Sequence, residues 1–387
     1  MKYINILIIS VLLSSSIVGC SNSISKQTTD VLKNQILQNA EWAMTQEPVT
    51  VTADSCERSE GGIHDFYSEG DYWWPNPDDP DGKYIRRDGE TNPDNFVAHR
   101  LAMIQFSKIV GSLASAYMIT NDEKYVEQAF KHIRAWFVTP ETLMNPSLLY
   151  AQAIKGVTSG RGVGIIDTIH LMEVAQGILR MQDAKNVDKS ELEIVKKWFA
   201  DYLTWLTTHP YGIDEMNAKN NHGTCWVMQV GSFAKLTGNE EILNMCRERY
   251  KTVLLPNQMA VDGSFPQEMS RTKPYGYALF NLDAMTTICQ ILSTESDNLW
   301  EFTTSDGKNI RKGMEFMYPF IKDKSKWNLP PDVMYWDEWP IAQPSLIFSA
   351  VNLKNKDYFN LWRSLEHNFT VQEVERNTPV RNPLIWL

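Results

Sequence analysis

From about residue 97 onward the sequence repeats one rhythm: a segment with apolar residues at helical spacing, a short polar turn, then another such segment. Residues 96–119 close at Thr120-Asn121-Asp122, and 123–137 pair with them. Residues 165–181 and 190–207 form a second hairpin around 183–188. Residues 221–236 and 240–254 form a third, joined at Thr237-Gly238-Asn239, where Gly238 suits the left-handed position after a helix. Residues 275–292, 313–320, 344–352 and 358–367 continue the theme, and strand-like alternation is scarce. A helical hairpin cannot bury its apolar face alone and needs neighbours. The expected fold is therefore all-α, an (α/α) toroid of about six to seven hairpins built as a single domain over residues 31–387. A solenoid would need a fixed sequence period, and none is present.

Composition narrows the function. With 43% hydrophobic and 22% charged residues the chain has the balance of a globular protein, not of a disordered tail or a multi-span membrane protein. A formal charge of −10 argues against general nucleic-acid binding, which needs a basic footprint. Cys56, Cys225, Cys246 and Cys289 show neither a CxxC pair nor zinc-type spacing; Cys225, Cys246 and Cys289 fall in apolar helical patterns and read as buried free thiols, while an oxidising compartment would allow one disulfide. No cluster of His or carboxylate residues argues for a metal, and no cofactor is expected.

The first nineteen residues read as a targeting segment. Lys2 gives a basic start, residues 4–17 are mostly apolar, and Ile17-Val18-Gly19-Cys20 looks like a bacterial lipoprotein cleavage box with Cys20 as the lipidated residue. Residues 20–30 then form the lipidated cysteine and a polar tether. The mature chain is expected in the periplasm or cell envelope as a monomer, touching the membrane only through its lipid anchor.

Residues 58–95 interrupt the helical rhythm with Pro75, Pro77, Pro80 and Pro93 among many Gly, Asp and Asn. A loop this long inside a compact domain is usually functional. It carries Tyr67, Tyr72, Trp73, Trp74 and Tyr84 beside Lys83, Arg86 and Arg87. Rings can stack on the apolar face of a sugar while guanidiniums fork onto a carboxylate. Trp73, Trp74, Arg86 and Arg87 are thus candidate contacts to an anionic polysaccharide.

Two short segments carry the chemistry. In Asn220-Asn221-His222-Gly223-Thr224-Cys225-Trp226, Asn221 and His222 fall in the first turn of a helix. Free backbone N–H groups and the positive dipole end point the same way, a natural place for a carboxylate. Trp226 joins the candidate substrate-binding rings. In the second segment, residues 267–277, Pro274 opens a helix, which places Tyr277 in its first turn with Arg271 just before it. A cation beside a phenol favours the phenolate, which matters if the phenol moves a proton.

Together, the Asn221-His222 helix opening, Ser270-Arg271-Thr272 and Tyr277 resemble the alginate lyase family of α/α-toroid polysaccharide lyases. The loop residues Tyr72-Trp73-Trp74-Pro75-Asn76-Pro77, Tyr84-Ile85-Arg86-Arg87-Asp88-Gly89 and Asn92-Pro93-Asp94-Asn95-Phe96 also resemble bacterial members. The resemblance implies that Asn221 and His222 hold the uronate carboxylate, that Arg271 assists, and that Tyr277 transfers the proton. Tyr275 is a rival for that last role.

The reaction implied is β-elimination of a 4-linked polyuronate, most simply polymannuronate-type alginate. Removing the proton on carbon 5 builds charge on the carboxylate, so donors that stabilise the dianion accelerate it. Tyr277 could serve as base and acid when proton and leaving group are syn; for an anti arrangement His222 would be the base. Glucuronan or another uronan is an alternative substrate. An α/α-toroid glycoside hydrolase would instead need a carboxylate pair, for which Asp332, Asp337 and Glu338 are available. A non-catalytic glycan-binding lipoprotein would need the rings and arginines alone.

Overall fold

The computed structural model describes residues 12–387, with side chains from Ile24 onward. Helix α1 spans Leu12–Met44, α2 Ala98–Thr120, α3 Glu123–Phe137, α4 Leu171–Met181, α5 Lys189–Thr208, α6 Pro210–Met216 and α7 Asn221–Thr237. There follow α8 (Glu240–Arg249), α9 (Leu255–Gln258), α10 (Pro266–Met269), α11 (Pro274–Leu292), α12 (Ile310–Lys322), α13 (Pro344–Asn352), α14 (Lys356–Trp362), α15 (Gln372–Asn377) and α16 (Pro383–Trp386). The polar turns are caps. Asp122, Asp188 and Asn239 each accept a backbone N–H of the helix they precede. Asn121 and Gly238 take left-handed conformations after α2 and α7.

Packing closes the helices into a ring. Helix α2 lies on α4, α4 on α7, α7 on α11 and α11 on α13, while α13 returns to α1 and α1 to α2. Helices α3, α5, α8, α12 and α14 cover this inner circle from outside. Inner helices are buried almost all round: in α7 every residue from Gly223 to Ala234 is inaccessible, whereas the outer α3 buries only one face. Consecutive inner and outer helices alternate direction, so inner helices run parallel and the segments preceding them gather at one end of the ring. This is the expected toroid.

Some boundaries differ from the sequence reading. Residues 165–181 are not one helix: a 3-10 stretch, Gly162–Thr168, precedes α4 at a bend of 43°. There Gly164 lies against Ala151 so closely that a Cβ would meet its carbonyl oxygen at 2.6 Å. The last helix of the 358–367 segment stops at Trp362. The polar tether is also corrected: Ile24 and Thr28 are buried in α1, so residues 24–30 belong to the packed body. Residues 1–11 and the side chain of Cys20 lie outside the described residues. Among the described side chains, Cys56, Cys225, Cys246 and Cys289 are free thiols.

The aromatic loop is ordered by four short strands: β1 (Tyr67–Glu69), β2 (Trp73–Trp74), β3 (Ile85–Arg86) and β4 (Tyr150–Ala153). Strand β1 pairs parallel with β4, and β2 pairs antiparallel with β3, placing Trp73 opposite Arg86 and Trp74 opposite Ile85.

Candidate active site

The gathered segments enclose a cavity of about 300 Å³. Tyr72 and Trp73 of the loop, Arg100 in the first turn of α2, Asn221 and His222 opening α7, Arg271 and Tyr277 at the start of α11, and Arg376 of α15 all line it. Five arginines (86, 100, 161, 271 and 376) face two carboxylates, Asp71 and Asp167. The cavity is therefore cationic in a chain of net charge −10, which suits an anionic ligand.

Asp71 organises the floor. It receives Arg100 through both carboxylate oxygens, at 2.6 and 2.9 Å, and Arg376 at 2.6 Å. Burial alone would raise its pKa, but these two guanidiniums hold it well below the usual carboxylate range. Arg376 also reaches the Tyr72 hydroxyl at 3.4 Å, and Tyr277 Oη donates to that hydroxyl at 2.9 Å. The C-terminal segment, the loop and α11 thus meet at one phenol pair.

Arg271 lies with its Cζ 3.9 Å from the centroid of the Tyr277 ring, and its Nη2 is 3.2 Å from Asp88. It therefore stacks on the face of the phenol, and Asp88 anchors it. Burial pushes the Tyr277 phenol well above its ordinary value, the neighbouring Tyr72 adds to the rise, and Arg271 only partly offsets them. The sequence reading expected Arg271 to lower this phenol; burial wins.

The start of α7 is arranged differently from the free anion site expected. Asn220 caps it through His222 N–H. The buried Glu268 takes the Asn221 backbone N–H at 2.6 Å and the Asn221 side-chain amide at 2.7 Å. A carboxylate of the chain itself thus occupies that helix end and holds the Asn221 side chain in place. His222 Nδ1 lies 2.7 Å from Glu215 Oε1.

Strand alternation sorts the loop candidates. Trp73 and Arg86 share the face that lines the cavity. Their neighbours Trp74 and Arg87 turn to the other face, where the Arg87 guanidinium lies 4.9 Å from the Trp74 ring. Trp73 comes close because residue 70 is glycine: a Cβ there would meet the indole at 2.7 Å. Trp226 does not reach the cavity. It is inaccessible, with its indole N–H on Leu206 O, because α7 is an inner helix and its sequence position turns into the wall. Tyr275 is likewise buried, its hydroxyl on Phe320 O at 3.2 Å and its ring against Trp327 and Trp336. Only Tyr277 of the two tyrosines faces the cavity.

Sequence reasoning missed Glu215, Glu268, Asp71, Arg100 and Arg376 as site residues. Glu268 stands in the 267–277 segment, but no spacing rule links it to Asn221. Asp332, considered as a hydrolase carboxylate, accepts the Tyr275 and Gly276 backbone N–H groups at 2.9 Å each, and so caps α11. Asp337 and Glu338 are not among the cavity residues.

A family profile described as Alginate lyase matches residues 50–327. The crystal structure of an alginate lyase from Bacteroides ovatus superposes with a TM-score of 0.81 at 29% identity, covering 96% of this chain and 97% of that one. Alginate lyase A1-III from Sphingomonas species A1 superposes with a TM-score of 0.55 at 16% identity, covering 84% and 89%. A variant of alginate lyase A1-III complexed with tetrasaccharide gives 0.58 at 16% identity, covering 84% and 88%. These last two share the fold. No curated protein sequence matches the chain. The matched span and the helical toroid agree: the chain belongs to the alginate lyase family of polysaccharide lyases.

Proposed function

We propose that the protein cleaves the polymannuronate-type blocks of alginate by β-elimination, leaving an unsaturated uronide end. The observation that carries this reading is the convergence of Tyr277, His222, Asn221 and Arg271 on one arginine-lined cavity. A uronate carboxylate placed between a His222 protonated at Nε2 and the second hydrogen of the Asn221 amide meets donors that strengthen as the carbon-5 proton leaves and the dianion forms. Arg271 adds positive charge beside Tyr277, and Trp73 offers a ring to the sugar face. Tyr277 removes the proton and returns one to the glycosidic oxygen, since both lie on the same side of a mannuronate ring.

The carboxylates lining the cavity, Asp71 and Asp167, both contact Arg100, and Asp71 also contacts Arg376. They are therefore committed to arginines, unlike the acid and base pair of a glycoside hydrolase. In chain organisation, we propose removal of residues 1–19, lipidation of Cys20, and a single lyase domain acting as a monomer in the cell envelope. The polar partner is the anionic polysaccharide alone.

Incubation with polymannuronate, polyguluronate and glucuronan tests the substrate. Ultraviolet absorbance growing fastest on polymannuronate is expected. A faster rate on polyguluronate or glucuronan reassigns the substrate, and new reducing ends without absorbance refute elimination. Loss of membrane association in Cys20→Ala tests the anchor.

A further inference from the structure

We infer that Glu215 is the positioning residue for His222: it holds the Nδ1–H tautomer and turns Nε2 toward the uronate. The inference rests on the reading of the cavity given above and deepens it. Glu215 sits in the last turn of α6, is 1% exposed and does not line the cavity. Its Oε1 lies 2.7 Å from His222 Nδ1, while its Oε2 is buried with no hydrogen-bond partner.

A buried carboxylate needs a compensating donor, and the one within bonding distance here is the imidazole. An ionised carboxylate only accepts, so Nδ1 must carry the hydrogen. That leaves Nε2 as the nitrogen available to a ligand, because His222 itself lines the cavity. To engage the sugar carboxylate Nε2 must itself carry a proton, and the positive charge that proton puts on the ring falls directly against Glu215. Arg161, a further cation in the cavity wall, is committed to Gln152 through Nε and Nη2, both at 2.9 Å.

The connection between the two residues is stiff. Arg249 Nη2 donates to Met216 O and, at 3.1 Å, to Asn217 Oδ1, clamping the link from α6 to α7. Gly223 packs so tightly that a Cβ would meet Ala218 O at 2.3 Å. The imidazole is therefore held from its backbone and from its far nitrogen.

Glu215→Gln keeps the shape and an acceptor for Nδ1–H but removes the charge. On polymannuronate it should lower kcat about 10- to 100-fold with KM changed less than about threefold, as outer partners of functional histidines do. Glu215→Asp should recover part of the loss. In a His222→Gln background, Glu215→Gln should add less than about a further twofold, because its effect passes through the imidazole. Nitrogen-15 histidine spectra of the unaltered protein should show a protonated Nδ1 on His222, which needs no variant to fold. An unprotonated Nδ1, full activity in Glu215→Gln, or losses that multiply in the double variant would overturn the assignment. A wild-type protein that gives no unsaturated product fails differently, because the lyase reading then falls first.

Discussion

Tyr277→Phe deletes one oxygen from the cavity. That oxygen donates to Tyr72 at 2.9 Å, and Tyr72 keeps a second partner in Arg376. No buried group is orphaned, so the stability cost should stay near 1 kcal/mol, about 2–4 °C in melting temperature or less. The catalytic cost is larger: a lost acid–base group removes about 10²- to 10⁴-fold in kcat, or ~3–5 kcal/mol. Turnover should therefore collapse in a protein that still folds and still binds oligosaccharide, because the arginines remain. Tyr275→Phe is the mirror control. Its hydroxyl bonds a carbonyl inside the wall, so about 1–3 kcal/mol of stability should go while kcat survives. The two variants should cross: one melts within a few degrees of wild type and is dead, the other melts earlier and works. Since burial keeps the Tyr277 phenol protonated in the free site, wild-type turnover should also rise with pH through the neutral range, as a base that must lose its proton requires. Ultraviolet absorbance at unsaturated ends, melting temperature and calorimetric binding to mannuronate oligosaccharide read all three quantities. Tyr277→Phe within about threefold of wild-type turnover, or a folded Tyr275→Phe without activity, would refute the assignment.

Glu268→Ala should cost about 2–5 kcal/mol, because two buried donors of Asn221 lose their acceptor; an unchanged melting temperature would show that α7 does not depend on it. Trp73→Ala should weaken oligosaccharide binding by about 1 kcal/mol, between five- and tenfold in Kd, while Trp74→Ala leaves it unchanged; equal effects in titration would contradict the two-faced hairpin. Burial pushes the Asp283 carboxyl up to about 7, above its unfolded value, so the stability it contributes is present at acid pH and lost as pH rises toward about 7. Asp283→Asn should therefore gain about 2–4 kcal/mol relative to wild type between pH 4 and 8, measured by denaturant unfolding, and a difference independent of pH would count against it.

The helical segments were legible because their signals are local. Asp122, Asp188, Asn239 and Gly238 act within one turn of the helix they bound, and apolar spacing marks the faces that must meet neighbours. The bend before α4 and the burial of Ile24 and Thr28 escaped, because each depends on what packs against the segment from elsewhere. The same division runs through the site. Asn221, His222, Arg271 and Tyr277 stand at helix starts, and a ring of parallel inner helices gathers such starts at one end. Trp226 and Tyr275 lie only a few residues away, yet helical rotation carries them into the wall.

By itself, the order of residues determined the class of fold and nominated a phenol, an imidazole, an amide and a guanidinium for one reaction. Only the tertiary structure decided which rings see the cavity, that Glu268 fills the helix end expected to be free, and that Asp71 binds Arg100 and Arg376 together. Caps and periodicity act over a few residues, and so can be read along a chain. Charge pairing and burial act across space, between partners as distant as Asp71 and Arg376, and exist only once the ring has closed.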